Sequence, residues 1–243
     1  LMKTTIYPLI VAAGTGSRFG ANKPKQYLKI GTKSILTHSI SRLNHPDLDA
    51  LTVVIAHDDA YIQGEMLDMQ SSFDQAIYYT TGGDERWQSV MNGLDKICAE
   101  GGLDGDWVLI HDAARPCLPY TDLDRLIHKI KSNQCNAAIL ATAVVDTLKF
   151  AKDNHISHTV SRDDLWQALT PQAFKIGVLK SAFEFVITNR LQITDEASAC
   201  EAMGESVAIV PASRMNIKLT YPDDLPLMEK ILSGLFDELV KLS

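Results

Sequence analysis

An apolar run over residues 6–13 stops at Gly14, continues as Thr15-Gly16-Ser17-Arg18-Phe19-Gly20, and reaches Lys23-Pro24-Lys25-Gln26. A buried strand that ends in glycine and then delivers cations reads as opening onto a bound polyphosphate, or else as a glycine-rich turn with a solvated basic face. Glycine lets backbone N–H groups come within hydrogen-bonding distance of phosphate oxygens, and the cations offset charge that amides alone leave uncompensated. Between residues 14 and 33 there are five basic residues (Arg18, Lys23, Lys25, Lys29, Lys33) and no acidic one, in a chain whose net charge is −7. That local reversal of sign reads as the carboxyl end of a strand facing a polyphosphate. Two familiar phosphate loops fail on spacing. A dinucleotide fingerprint needs glycine where Phe19 stands, and a P-loop needs Gly-Lys-Ser/Thr where Gly20 is followed by Ala21-Asn22. Arg18 falls inside the loop and Lys25 just past it, where both can fold over a triphosphate.

Apolar runs alternate with helical patterns along the rest of the chain, as expected for an α/β sheet with crossover helices. Strands are expected at 6–13, 51–56, 77–80, 107–111, 137–145 and 207–210. Helices are expected at 34–43, 61–69, 85–99, 122–131, 176–187, 195–203 and 223–241. No repeat, low-complexity tract or linker interrupts the 243 residues, so a single domain over 1–243 is expected, with 46% hydrophobic residues to fill its core. Residues 146–161 break the pattern: two short runs, 147–150 and 156–160, flank Lys152-Asp153-Asn154, which reads as a hairpin turn. Such a hairpin carries too little apolar surface for a core of its own and gains stability by packing on another subunit or stays a mobile surface arm.

Two further clusters carry chemistry. Gly82-Gly83-Asp84-Glu85-Arg86 follows a strand and leads into a helix containing Ser89, a place for close approach to a planar base and for a hydroxyl bond to ribose or phosphate. His111-Asp112-Ala113-Ala114-Arg115-Pro116 puts Asp112 at a strand's carboxyl end, opposite the basic loop. One carboxylate there suits Mg²⁺, which usually takes one or two carboxylates plus substrate phosphates. Arg115 can pair with Asp112 or meet a second anion. Thr194 reads as a helix N-cap ahead of two acids, and Lys218 as one of an alternating strand. There is no Gly-x-Ser-x-Gly elbow, His-Glu-x-x-His or reactive-cysteine signature. A reaction needing cations but no protein nucleophile fits this inventory, such as attack of one ionised phosphate on the α-phosphorus of a nucleoside triphosphate.

The four cysteines are scattered, and no apolar run reaches membrane-spanning length or resembles a signal region, so cytoplasm is the expected compartment. The acidic balance argues against a nucleic-acid surface; neither a nucleic-acid nor a membrane partner is expected.

The ordered set of motifs resembles the 2-C-methyl-D-erythritol 4-phosphate cytidylyltransferase family of the non-mevalonate isoprenoid pathway. The matching residues are Ala12-Ala13-Gly14-x-Gly16-x-Arg18, Pro24-Lys25-Gln26-Tyr27, residues 82–86 and 111–116, Asp146-Thr147, Leu169-Thr170-Pro171-Gln172, residues 194–198 and Asn216-Ile217-Lys218. The resemblance implies a Rossmann-like nucleotide-diphospho-sugar transferase fold with a mostly parallel sheet. It also implies a homodimer interlocked through an arm at 146–162, and transfer of CMP from CTP to a polyol phosphate with release of pyrophosphate. Arg18, Lys25 and Lys218 would be the catalytic cations. Ala12, Ala13, Gly14 and Gly16, with Gly82, Asp84 and Ser89, would hold the nucleotide. Asp112 would lie near the metal and ligand hydroxyls. Arg115, Thr170, Thr194 and Lys218 would surround the methylerythritol phosphate, with Thr147 and Arg162 supplied by the partner's arm. A ribitol 5-phosphate cytidylyltransferase would share the loop and the reaction. A nucleotide-binding regulatory or redox domain would use Gly14 and Gly16, with Asp58 or Asp59 on a ribose, and leave Arg18, Lys25 and Asp112 unexplained.

Overall fold

The computed structural model describes residues 4–14 and 23–242. The chain runs β1 (Ile6–Val11), β2 (Lys29–Ile30), β3 (Lys33–Ser34), α1 (Ile35–Arg42), β4 (Leu51–Ile55), α2 (Ile62–Gln70), β5 (Ile77–Thr81), α3 (Arg86–Ala99) and β6 (Trp107–Asp112). It continues through α4 (Tyr120–Lys131), β7 (Ala137–Ala143), β8 (Leu148–Lys152), β9 (His155–Val160), β10 (Trp166–Lys175), α5 (Ile176–Thr188), α6 (Glu196–Met203), β11 (Ala208–Pro211) and α7 (Asp224–Leu242).

Among the described residues seven strands form one sheet in the order β11-β7-β10-β6-β1-β4-β5. All neighbouring pairs are parallel except those that β10 makes with β6 and β7. Strands buried on both faces explain the near-continuous apolar runs. Successive residues feed opposite layers: Ile10, Val53 and Leu109 pack with the α1, α2 and α4 side, while Leu9, Val54 and Ile110 pack with α3, α5 and α6. Gly93 lets α3 lie close to the sheet, since a Cβ there would stand 2.3 Å from the Leu9 side chain. A third cluster, including Ile30, Ile35, Cys117, Leu219, Met228 and Leu232, seats α7 against the β2–β3 hairpin.

The expected α/β class and mostly parallel sheet are present, but sequence reading missed β10, which lies antiparallel in the middle of the sheet. Its apolar run is broken by Gln167 and by Thr170-Pro171-Gln172. The pairing with β7 shifts register between Ala168 and Gln172, so Pro171, which has no N–H to donate, sits at the break in the ladder. The α6 N-cap is Asp195, whose side chain accepts from the Ser198 N–H, rather than Thr194. The expected hairpin forms as β8–β9, a separate two-stranded sheet. Lys152 pairs with His155 across Asp153 and Asn154, which have φ of 49° and 60°. Positive φ at both central residues is the hairpin turn whose twist matches the flanking strands.

Register fixes the site. Val11 pairs with Asp112 and with Val54, and Ile55 pairs with Thr81. Thus β1, β4, β5 and β6 end together, and the chain turns one way from β1 to β4 and the other way to reach β6. Crevices at such a reversal are where open α/β sheets bind ligands.

Candidate active site

A cavity of about 310 Å³ opens at that edge. One wall is the end of β1, residues 11–14, with Lys25 and Gln26; a second is residues 83–86 and Ser89 at the start of α3; the third is residues 112–114, with Lys218 and Thr220. Three stretches that are far apart in sequence therefore meet in one cleft.

The β1 wall is held by a side chain that sequence reading quoted but gave no role. Buried Gln26 donates from Nε2 to the carbonyls of Ala12 at 2.8 Å and Gly14 at 3.2 Å, tying both ends of the glycine loop's entrance. Lys25 donates from Nζ to the Leu219 carbonyl at 2.6 Å, which brings its ammonium to the same mouth as Lys218. Gly16 and Arg18 lie outside the described residues.

The second wall depends on the absence of a side chain. A Cβ at Gly82 would stand 2.5 Å from the Ala13 Cβ and 2.6 Å from Ser89 Oγ, so only glycine lets β5's exit approach β1's. Ser89 is buried; its hydroxyl accepts from the Gly83 N–H at 3.1 Å and donates to the Glu85 carbonyl at 3.3 Å, shaping the loop. Asp84 lies on the cavity surface.

The third wall is electrostatic. Asp112, the last residue of β6, accepts from Lys218 Nζ at 2.7 Å on Oδ2 and from Arg86 Nη2 at 3.1 Å on Oδ1, with Arg115 Nε 3.8 Å from Oδ2. Burial alone would raise the Asp112 carboxyl, but the Arg86, Lys218 and Arg115 charges hold it well below the usual carboxylate range. Behind it, His111 is fully buried and pushed down to about 4, so the ring is neutral near pH 7. Its Nε2 lies 2.9 Å from the Arg115 carbonyl, which can only accept, so Nε2 carries the proton and Nδ1 accepts from the Thr170 hydroxyl at 3.0 Å. Thr170 Oγ1 in turn accepts the Asp112 N–H at 3.1 Å. Buried Arg115 donates to the Asn216 carbonyl at 2.7 Å, and Asn216 donates to the Thr170 carbonyl at 2.8 Å.

Of the residues expected from sequence, Ala12, Ala13, Gly14, Lys25, Asp84, Ser89, Asp112 and Lys218 line the cavity, with Gly82 adjoining Ala13 and Ser89. Thr170 and Arg115 lie buried around Asp112. Thr194 is exposed just ahead of α6, its N–H donating to Ser198 Oγ. Thr147 and Arg162 are exposed at the base of the β8–β9 hairpin, outside the cavity of their own chain, and Arg162 bonds the Val145 carbonyl. Arg86 and Glu196 were missed as a pair: 110 positions apart, they bond through Arg86 Nη1 and Glu196 Oε1. A lone acid in a helix's first turn gives no sign in sequence of a distant arginine.

Among the described residues no group of three or more His, Cys, Asp or Glu is arranged to hold a metal. Asp112 has lone pairs to spare on both oxygens, so the donor set fits a divalent cation that arrives largely coordinated by a nucleotide's phosphates, with Asp112 as its single protein carboxylate.

A parallel-sheet switch point with a glycine-walled slot on one side and a caged carboxylate on the other defines an α/β enzyme of the nucleotide-handling class. Residues 6–234 match the family described as 2-C-methyl-D-erythritol 4-phosphate cytidylyltransferase. The proteins of that name from Alteromonas mediterranea and Acinetobacter baumannii strain AYE are each 44% identical over 234 residues, covering 95% and 96% of this chain and 94% and 95% of theirs. A crystal structure of 4-diphosphocytidyl-2C-methyl-D-erythritol synthase superposes with a TM-score of 0.81 at 36% identity, over 95% of this chain and all of that one. The Francisella tularensis 2-C-methyl-D-erythritol 4-phosphate cytidylyltransferase gives 0.78 at 34%, over 94% and 100%. The chain belongs to the 2-C-methyl-D-erythritol 4-phosphate cytidylyltransferase family.

Proposed function

We propose that the chain transfers CMP from CTP to 2-C-methyl-D-erythritol 4-phosphate, giving 4-diphosphocytidyl-2-C-methyl-D-erythritol and pyrophosphate. The observation that carries this reading, besides family membership, is a cleft in which Lys25 and Lys218 converge while no histidine or cysteine lines it among the described residues. The acceptor's phosphate oxygen is already ionised. It attacks the α-phosphorus of CTP, the new P–O bond forms as the bond to the β-phosphate's bridging oxygen breaks, and pyrophosphate leaves without a protein base. The barrier is then mostly repulsion between two polyanions, and cations fixed in place lower it most where charge builds up.

In this reading Lys25 and Arg18 meet the triphosphate, and the backbone of residues 12–14, Gly16, Gly82, Asp84 and Ser89 shape the cytidine slot. Lys218 turns from Asp112 to the acceptor phosphate, Asp112 faces acceptor hydroxyls, and Arg115, Thr170 and Thr194 form that side of the pocket. Mg²⁺ or another divalent cation, when bound at Asp112 with the triphosphate, would neutralise phosphate charge. We further propose a homodimer through the arm. The exposed Phe150 and Ile156 support it, as does the position of Thr147 and Arg162 outside their own chain's cavity, where they would serve the partner's. Free cysteines support a reducing compartment such as the cytoplasm. No helix among the described residues is long and apolar enough to cross a membrane.

The direct test is pyrophosphate release with CTP and Mg²⁺, comparing methylerythritol phosphate with ribitol phosphate. Faster turnover of ribitol phosphate would overturn the assignment.

A further inference from the structure

Arg86 bridges two carboxylates that lie far apart in sequence. Nη1 bonds Glu196 Oε1 at the start of α6, and Nη2 bonds Asp112 Oδ1 at the end of β6. Glu196 is 1% exposed, does not line the cavity, and its Oε2 has no hydrogen-bond partner among the described residues. Burial pushes its carboxyl up against the pull of Arg86. A buried carboxylate with one oxygen unsatisfied is a costly way to join two helices, because an apolar pair of similar volume would do so with equal or better stability. The charge therefore calls for a reason other than holding α3 to α6.

The geometry supplies one. Lys218 and Arg115 both approach Asp112 Oδ2, at 2.7 Å and 3.8 Å. With only those two cations the carboxylate can turn about its last side-chain bond and give each an oxygen. Arg86, by taking Oδ1, sets the carboxylate plane and leaves Oδ2 to Lys218. Arg86 itself stays where it is because Glu196 holds the other arm of the guanidinium. Without Glu196, the guanidinium would swing into a two-pronged pair with Asp112 and draw it away from Lys218. We propose that the Arg86–Glu196 pair is a positioning device for Asp112, which makes Glu196 a positioning residue for the acceptor side of the site although it touches no ligand. This rests on the reading of Asp112 as facing the acceptor.

Two variants test it. Arg86→Met/Glu196→Leu replaces the buried pair with apolar groups, and Glu196→Gln keeps the shape and removes only the charge. We expect the double variant to keep or raise the melting temperature. Its KM for the acceptor should rise about tenfold or more with that for CTP within about twofold, as when a partner behind a ligating group is removed. Glu196→Gln should move the acceptor KM in the same direction, and crystal structures of both should show Asp112 out of its 2.7 Å contact with Lys218. If the double variant does not fold, Glu196→Gln decides alone. An unchanged acceptor KM with the Asp112–Lys218 contact intact overturns the proposal, as does a rise in both KM values that tracks a falling melting temperature. If the unaltered enzyme releases no pyrophosphate, the functional reading fails, and the Asp112–Lys218 geometry in the variants still decides the positioning role.

Discussion

The end of β6 and the β8–β9 hairpin are both places where sequence motifs put substrate-binding residues, and they are built in opposite ways. All six residues of β6 are buried, and Asp112 at its tip is held by three cations while its backbone N–H is fixed by Thr170. All five residues of β8 are exposed, and so is Thr147 at its base. Preorganised electrostatics need side chains whose rotamers are locked from behind. The β6 edge meets that requirement within one chain. The β8 strand, exposed along its whole length, does not meet it with buried neighbours of its own.

The largest effect should come from the preorganised side. In the proposed reaction Lys25 is a cation aimed at developing phosphate charge, so Lys25→Ala should raise the barrier by about 2–4 kcal/mol in kcat/KM. Lys25 Nζ also donates to the Leu219 carbonyl, and the unfolding midpoint should shift far less than the activation barrier. A loss of activity matched by a comparable loss of stability would show that Lys25 is a strut rather than a catalytic cation.

Next in size is the acid limb of stability. Burial holds His111 down at about 4 from an ordinary 6.5. Between those values the unfolded chain takes up a proton that the folded chain refuses, so stability falls as pH drops through that window. The loss should total about 3 kcal/mol by pH 4. His38 and His45 are also lowered by burial and act in the same direction, whereas Glu196, raised by burial, acts in the opposite one, so the His111 share is read from the variant and not from the whole-protein slope. Denaturant titrations of His111→Gln at pH 7 and pH 4 should show that share missing. An unchanged slope would mean that the ring is charged in the folded state.

A smaller effect is expected at Gly82, where an added methyl would meet Ala13 and Ser89. Gly82→Ala should cost about 1–3 kcal/mol by overpacking, seen as a higher KM for CTP with the acceptor KM little changed. Equal movement of both would mean that the slot is not specific to the nucleotide side.

What could be read in the sequence follows from how local each signal is. Strands buried on both faces announce themselves as apolar runs, and glycine before cations announces a phosphate-facing turn, so the ends of β1, β5 and β6 were legible. The strand β10 was not, because Pro171 and two glutamines interrupt its run and its pairing is set by neighbours that lie far off in sequence. Gln26, His111 and Asn216 sit inside quoted motifs, yet their work is to hold backbone carbonyls or a hydroxyl, which residue type alone does not reveal. The Arg86–Glu196 pair exists only after α3 and α6 have docked on the same layer.

The smallest effect on the folded chain should come from the arm, and it breaks the comparison if it does not. Phe150 is 56% exposed and Ile156 65%. Phe150→Ser or Ile156→Ser should therefore change the stability of the isolated subunit by no more than about 0.5 kcal/mol. The same changes should weaken self-association measured by sedimentation, because in the proposed dimer the arm's exposed apolar side chains pack on the second subunit. Residues at its base then carry the functional consequence. Arg162→Ala and Lys25→Ala should each be nearly inactive alone, but a mixed dimer contains one site with an intact Lys25 from one chain and an intact Arg162 from the other. Equal mixing makes half of the dimers mixed, with one good site in two, so about a quarter of wild-type activity should return. Tagged mixed dimers with no activity above either parent would place Arg162 in its own subunit's service, and the arm would then be an ordinary surface hairpin.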